Sequence, residues 1–305
     1  MALTCLEIVT AAYQEMGLTA PSAVVGSSDP QIIQFLALAN RVGVDVARDY
    51  EWRRLGKQYV FQTTASATVT GDTTLNSTVV TNVSSTASLL AGMVVSGTGI
   101  PDFASIVSVD SGTQFTMDMA ADETGTTSTI TYYVQDYALP SDFAKMISKT
   151  NFDRTDHWSN LGPKSAQEWQ WLQSGNISTA PRFRYRLFGN KLRFFPAPDS
   201  VTNMVFEYSS NFWVLASGGT APTKAKFTLD TDTSIFGDDV MVLGLKYQWY
   251  RSNGLDFTLP LAEFVRALDI EKAHDSDNPT LNLSPPMPSQ LLNISAVPEG
   301  SWALP

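Results

Sequence analysis

The chain has 305 residues, enough for about two domains, each able to bury its own core. Charged residues make up only 16% and the formal net charge is −10, so too few cations are available for tight binding to DNA phosphates by counterion release. A single cysteine, Cys5, excludes an internal disulfide framework and a cysteine-based zinc site.

No apolar run approaches the ~20 residues of a membrane span. Met1–Thr10 lacks a basic segment followed by an apolar stretch, so no signal peptide is expected. These features predict a protein made in a cytoplasm that stays soluble and off membranes.

The first elements are two helices. Thr4 and Glu7 have capping-box spacing, and Gly17 marks a helix end. Asp29-Pro30 then supplies an N-cap and a first helical residue. Ile32, Leu36, Ala39, Gly43, Val46 and Tyr50 recur at helical steps, and Phe35, Leu38 and Val42 widen the stripe.

Composition changes after Arg54. No lysine or arginine occurs between Lys57 and Lys145. Short alternating runs at Ala67–Val69, Thr78–Val83, Met93–Val95, Ser105–Val109, Gln114–Met117 and Ser128–Tyr132 are separated by turn residues. They predict a small all-β domain, an Ig-like sandwich or small barrel, inserted over residues 62–131. Flanking strands are expected at Gln58–Phe61 and Tyr132–Val134. The insert should be separable from its host.

Downstream, Ser165–Leu172 reads as a short helix. Arg182–Phe188, Gly189-Asn190 and Lys191–Phe195 read as a hairpin with a type II′ turn, and Asn203–Val214 as a third strand. Asp238 is expected to cap a helix whose apolar face includes Leu243, Tyr247 and Tyr250, ending at Asn253-Gly254. A last helix after Pro260 carries Leu261, Phe264, Val265 and Leu268.

From residue 275 prolines forbid a helix, yet Leu281, Leu283, Met287, Leu291, Leu292, Ile294, Val297 and Trp302 are spread through the segment. A solvated linker would hold fewer apolar residues. An extended docking arm over residues 275–305 is expected. The fold class is therefore α+β: a helical bundle plus antiparallel sheet over 1–61 and 132–274, with the inserted β domain and the arm.

The catalytic inventory is thin. His157 and His274 are the two histidines. Asp156 could orient His157, but a polar loop histidine beside Trp158 is the simpler reading. Asp230 and Asp232 superficially suggest a calcium loop, but Ile235 stands where glycine is needed. No catalytic residue, cofactor or metal is assigned.

Arg182, Arg184 and Arg186 alternate with Phe183, Tyr185 and Leu187, which places three cations on one strand face. Lys191 and Arg193 continue that face. It is either a solvated surface or a site for phosphate, DNA or an acidic neighbouring subunit. Trp158, Trp169, Trp171, Trp213 and Trp249 could form a sugar platform, though aromatics with an apolar partner face are more often core.

Several segments in order resemble a known family. They are Asp49-Tyr-Glu-Trp52, Tyr137-x-Leu-Pro-x-Asp-Phe143, Glu168-Trp169, Tyr185-x-x-x-Gly-Asn190 and Phe195-Pro-Ala-Pro198. Phe206-Glu-Tyr208, Phe227–Asp232, Gly244-Leu-Lys-Tyr-Gln-Trp249 and Gly254-Leu-Asp256 follow. Together they resemble the head-to-tail adaptor (tail accessory) proteins of short-tailed bacteriophages. Leu90–Pro101 with Ile106–Val109 resembles a small β module of phage virion proteins.

The resemblance implies a non-enzymatic virion protein, a self-assembled ring of twelve copies on the portal protein. A tail nozzle or tube would sit on its far face, and DNA would pass through without specific binding. The arm would dock on the portal or an adjacent subunit. Two other classes remain: a receptor- or carbohydrate-binding tail protein, whose isolated insert should bind glycans, and a cell-wall hydrolase, which needs a catalytic carboxylate pair.

Overall fold

The computed structural model describes residues 2–176 and 182–276. The arm residues Leu281, Leu283, Met287, Leu291, Leu292, Ile294, Val297 and Trp302 lie outside them.

Helix α1 (Cys5–Glu15) starts at a complete capping box: Glu7 N donates to Thr4 Oγ1 at 3.3 Å, and Thr4 N donates to the Glu7 carboxylate at 2.8 Å. It stops at Met16, where Gly17 takes φ +69°. Helix α2 (Pro30–Asp49) is capped by Asp29, which accepts Gln31 N at 2.8 Å. Its buried residues are Phe35, Ala39, Val42, Gly43 and Val46. The stripe is thus centred nearer Phe35 and Val42 than its sequence periodicity suggested, leaving Ile32, Leu36 and Tyr50 half-buried.

Strand β1 (Gly56–Gln62) leads into six strands, β2 (Ala67–Thr73), β3 (Val79–Val80), β4 (Val94–Gly97), β5 (Ile106–Ser111), β6 (Gln114–Met117) and β7 (Gly125–Tyr133). They form two three-stranded antiparallel sheets, β2-β7-β4 and β3-β6-β5. Val80, Ile106, Phe115 and Ile130 are the centre of a hydrophobic cluster of their own. Tyr132 and Tyr133 belong to β7, opposite Ala67 and Val94. The separate strand expected at Tyr132–Val134 is the end of this longer one. The loop residue Phe103 leans on Phe195, 5.3 Å between ring centres, and Gln135 Nε2 donates to Gly92 O at 2.9 Å. Residues 67–133 therefore touch the remainder through more than their two connections.

Next come β8 (Asp136–Ala138), β9 (Phe143–Met146), β10 (Phe152–Asp153), β11 (Trp158–Ser159), α3 (Ala166–Trp171), β12 (Arg184–Phe188), β13 (Lys191–Phe195) and β14 (Asn203–Ser210). Ser165 and Glu168 form a second capping box, which seats the buried Trp169. Gly189 has φ +59° and Asn190 is not left-handed, as a type II′ turn requires.

The third strand does not join this hairpin. Strand β14 pairs with β1, β9 and β10 in a five-stranded antiparallel sheet, and β13 pairs with β8 instead. Pro196 and Pro198 follow β13 and cannot donate to a continuing ladder, which redirects the chain. Tyr59, Phe61, Phe206, Tyr137 and Phe194 pack between the two sheets, with ring centres 5.4–6.3 Å apart.

Strands β15 (Val214–Leu215), β16 (Pro222–Lys224) and β17 (Thr233–Ser234) form a small sheet beside the helices α4 (Asp238–Ser252) and α5 (Thr258–Asp275). Helices α1, α2 and α5 all pack on α4. Their core holds Phe35, Trp52, Trp213 and Phe236, each contributing about 1.5–3 kcal/mol by burial.

Asp238 does not cap its own helix; Gly237 stands at the N-cap, and the Asp238 carboxylate accepts Leu3 N at 2.9 Å. The packed side of α4 carries Met241, Gly244, Leu245 and Gln248, whereas Leu243, Tyr247 and Tyr250 are only half-buried. On α5, Leu268 is buried but Val265 is exposed. The chain is α+β, with antiparallel sheets. Among the described residues no helix is long and apolar enough to cross a membrane.

Candidate functional site: the basic hairpin

The β12–β13 register sets Arg186 directly opposite Arg193 and Phe188 opposite Lys191. Cross-strand partners share a sheet face, so four of the predicted cations, Arg184, Arg186, Lys191 and Arg193, do lie together. Tyr185, Leu192 and Phe194 on the opposite face are fully buried, which turns the Arg186–Arg193 and Phe188–Lys191 end of this face outward, while Phe195 opposite Arg184 is covered.

These cations are held by different partners. Arg193 forks onto Asp136 of β8, with Nε to Oδ1 at 2.6 Å and Nη2 to Oδ2 at 2.8 Å. Lys191 Nζ stands 4.0 Å from the same carboxylate. The Arg193 and Arg186 guanidiniums lie 4.5 and 5.4 Å from the centre of the exposed Phe188 ring. Arg182 lies over Trp158 at 4.7 Å. Arg184 is half-buried, and among the described residues its Nη1 has no hydrogen-bond partner.

One anionic partner thus neutralises part of the face, and aromatic rings orient Arg182 and Arg186. Arg186 makes no ion pair among the described residues, and Lys191 is exposed. These two remain available to a carboxylate or phosphate. Arg193→Ala should cost about 1.5–3 kcal/mol, because a charge-assisted fork is lost and Asp136 is stranded. Arg186→Ala should change stability by no more than about 0.5 kcal/mol. Urea titrations of both variants measure the contrast.

Asp136 was not visible as a partner in the sequence; only its pairing across β8 and β13 reveals it. A second unforeseen centre is Asp142, a buried residue of the Tyr137–Phe143 segment. It accepts Lys57 Nζ at 2.7 Å, Tyr208 OH at 2.8 Å and Ser210 Oγ at 2.8 Å. Burial pushes its pKa up, but Lys57 and the two hydroxyls outweigh that and hold it below the ordinary carboxylate value.

His157 is exposed at φ +59°. The backbone N–H of Asp156 donates to Asp153 Oδ1, as does that of Thr155; no hydrogen bond joins Asp156 to the imidazole. Asp230 and Asp232 diverge. Asp230 accepts Val24 N and Val25 N, while Asp232 holds Lys224. Of the tryptophans, Trp169 and Trp213 are buried, Trp158 and Trp249 half-buried, and Trp171 exposed and apart.

A cleft of about 1360 Å³ lies between the end of α2 and the five-stranded sheet, and a Lys145–Glu51 ion pair stands at it. No protein-family model matches the chain, and no curated protein matches it in sequence.

Proposed function

We propose that this chain is a structural subunit of a tailed-bacteriophage virion, a head-to-tail adaptor. In this reading identical copies, twelve in number, form a ring on the portal protein. The ring passes DNA along its axis and carries a tail nozzle or tube on its other side. The helices form its bundle, and residues 67–133 form an inserted Ig-like sandwich or small barrel. It performs no catalysis.

The observation that carries the reading is the meeting of two resembling segments far apart in sequence. Asp142 of Tyr137–Phe143 accepts the hydroxyl proton of Tyr208 from Phe206–Tyr208 at 2.8 Å. Such a bond explains why an aspartate and a tyrosine belong at those places in the pattern: each satisfies the other in a buried setting. The net charge of −10 supports a channel lining on which DNA does not stick.

The test is co-migration. The purified protein mixed with portal rings should elute with them on size exclusion at physiological salt. Independent elution at micromolar concentrations of both would overturn the reading.

A further inference from the structure

Helix α5 packs on α4, with Pro260 and Leu268 as its buried residues. Val265, which the helical period assigns to the packed side, faces outward, as does Ile270. On the outer side Ala262, Arg266, Asp269 and Ala273 follow one another at steps of four, three and four, which sets them on a single stripe. Val265 and Ile270 flank that stripe, one on each side. All six residues are exposed.

Most charges of α5 are engaged within the chain. Glu263 pairs with Lys246, Glu271 and Asp275 pair with Arg54, and Lys272 pairs with Asp49. Arg266 and Asp269 have no such partner among the described residues. The six outer positions are also symmetric about the point between Ala267 and Leu268. Arg266 and Asp269, Val265 and Ile270, Ala262 and Ala273 stand at equal distances on either side of it.

An antiparallel copy of the helix, related by a twofold axis level with that point, reverses the order. Arg266 then comes level with Asp269 of the second copy, and Asp269 with its Arg266. Ala262 and Ala273 meet at both ends, where small side chains let the two helices approach closely. A twofold contact requires this kind of self-complementarity, in which one residue meets a second and the second meets the first.

We propose that the outer face of α5 is a homodimerisation surface on which the α5 of a second copy lies antiparallel. The two opposite-charge pairs fix the register, and the apolar flanks supply buried area. From Ala262 to Ala273 the helix rises about 16 Å, so a contact centred on this face is at the small end of specific interfaces and the dimer is weak. A twofold contact closes on itself, whereas a ring grows by head-to-tail contacts. The dimer is therefore a separate association of the same chain, and portal binding can fail without affecting it.

Sedimentation equilibrium of the full chain, from micromolar to millimolar concentration, tests this with Arg266→Asp and Asp269→Arg. Wild type should pass from monomer to dimer across that range. Either variant alone sets like charges against each other twice and should weaken the dimer at least about tenfold. Mixed in equal amounts, the two variants restore both opposite-charge pairs, so dimers should return in the mixture. Both positions are exposed, and matching circular dichroism spectra check that the fold is intact. Wild type that stays monomeric throughout would show that the face is empty or covered from within. Association that the charge changes leave alone would place the contact elsewhere. Either result overturns the proposal, as does a mixture that remains as weakly associated as its components.

Discussion

Asp232→Ala should lower the unfolding free energy by about 3–5 kcal/mol, the usual cost of removing one partner of a buried ion pair. The side chain is fully buried and takes Lys224 Nζ at 2.7 and 3.0 Å. It also accepts Thr228 N, Thr228 Oγ1 and Leu229 N. Alanine strands the lysine and leaves these N–H groups without an acceptor. The damage spreads to α1, because Cys5 N donates to Asp232 O at 2.7 Å. Chemical denaturation measures the loss, and a change below about 1 kcal/mol would contradict the buried-pair account.

The same carboxylate sets a pH dependence. Burial pushes the Asp232 pKa up, but Lys224 and the Thr228 and Leu229 donors outweigh it and hold it below the ordinary value. A folded pKa depressed below the unfolded one means the unfolded chain takes up the proton more readily. The stability is therefore complete above the ordinary carboxylate value and lost as pH falls through the folded one. Asp142 adds in the same direction. Wild type should become less stable in acid, and Asp232→Ala should show a flatter acid limb.

Gly43→Ala should also destabilise, by about 1–3 kcal/mol, although alanine is intrinsically the better helix residue by about 1 kcal/mol. Gly43 sits in the middle of α2, where the Trp213 indole lies across it; a Cβ there would meet three atoms of the ring well inside van der Waals contact. Trp213 is fully buried and wedged against Phe227 and Phe236, so it has nowhere to retreat. Overpacking must therefore exceed the gain in propensity. Thermal unfolding of the variant decides the sign: a rise in midpoint would show that the indole can move.

These two sites also show what the sequence carried. Local signals were legible because the partners are neighbours: Thr4 with Glu7, Asp29 with Gln31, Ser165 with Glu168, and the glycine of the 189–190 turn. The alternation of all six short strands from Ala67 to Tyr133 was equally plain. Long-range choices were not. Nothing local tells β14 to pair with β1 rather than β13, or Asp238 to accept Leu3 N rather than cap its helix. Arg184, Arg186, Lys191 and Arg193 share one face of the hairpin, but the fork of Arg193 onto Asp136 needed the β8–β13 register. Gly43 fitted the apolar stripe without revealing that a tryptophan 170 positions later fills its missing side chain.

The central claim is ring assembly on a portal, and electron microscopy of the protein bound to purified portal rings tests it most directly. The account predicts closed rings stacked coaxially on the portal, with a shared rotational symmetry and an open axial channel. Averages showing bare portals beside unassembled subunits, under conditions where the fold is intact, would contradict it.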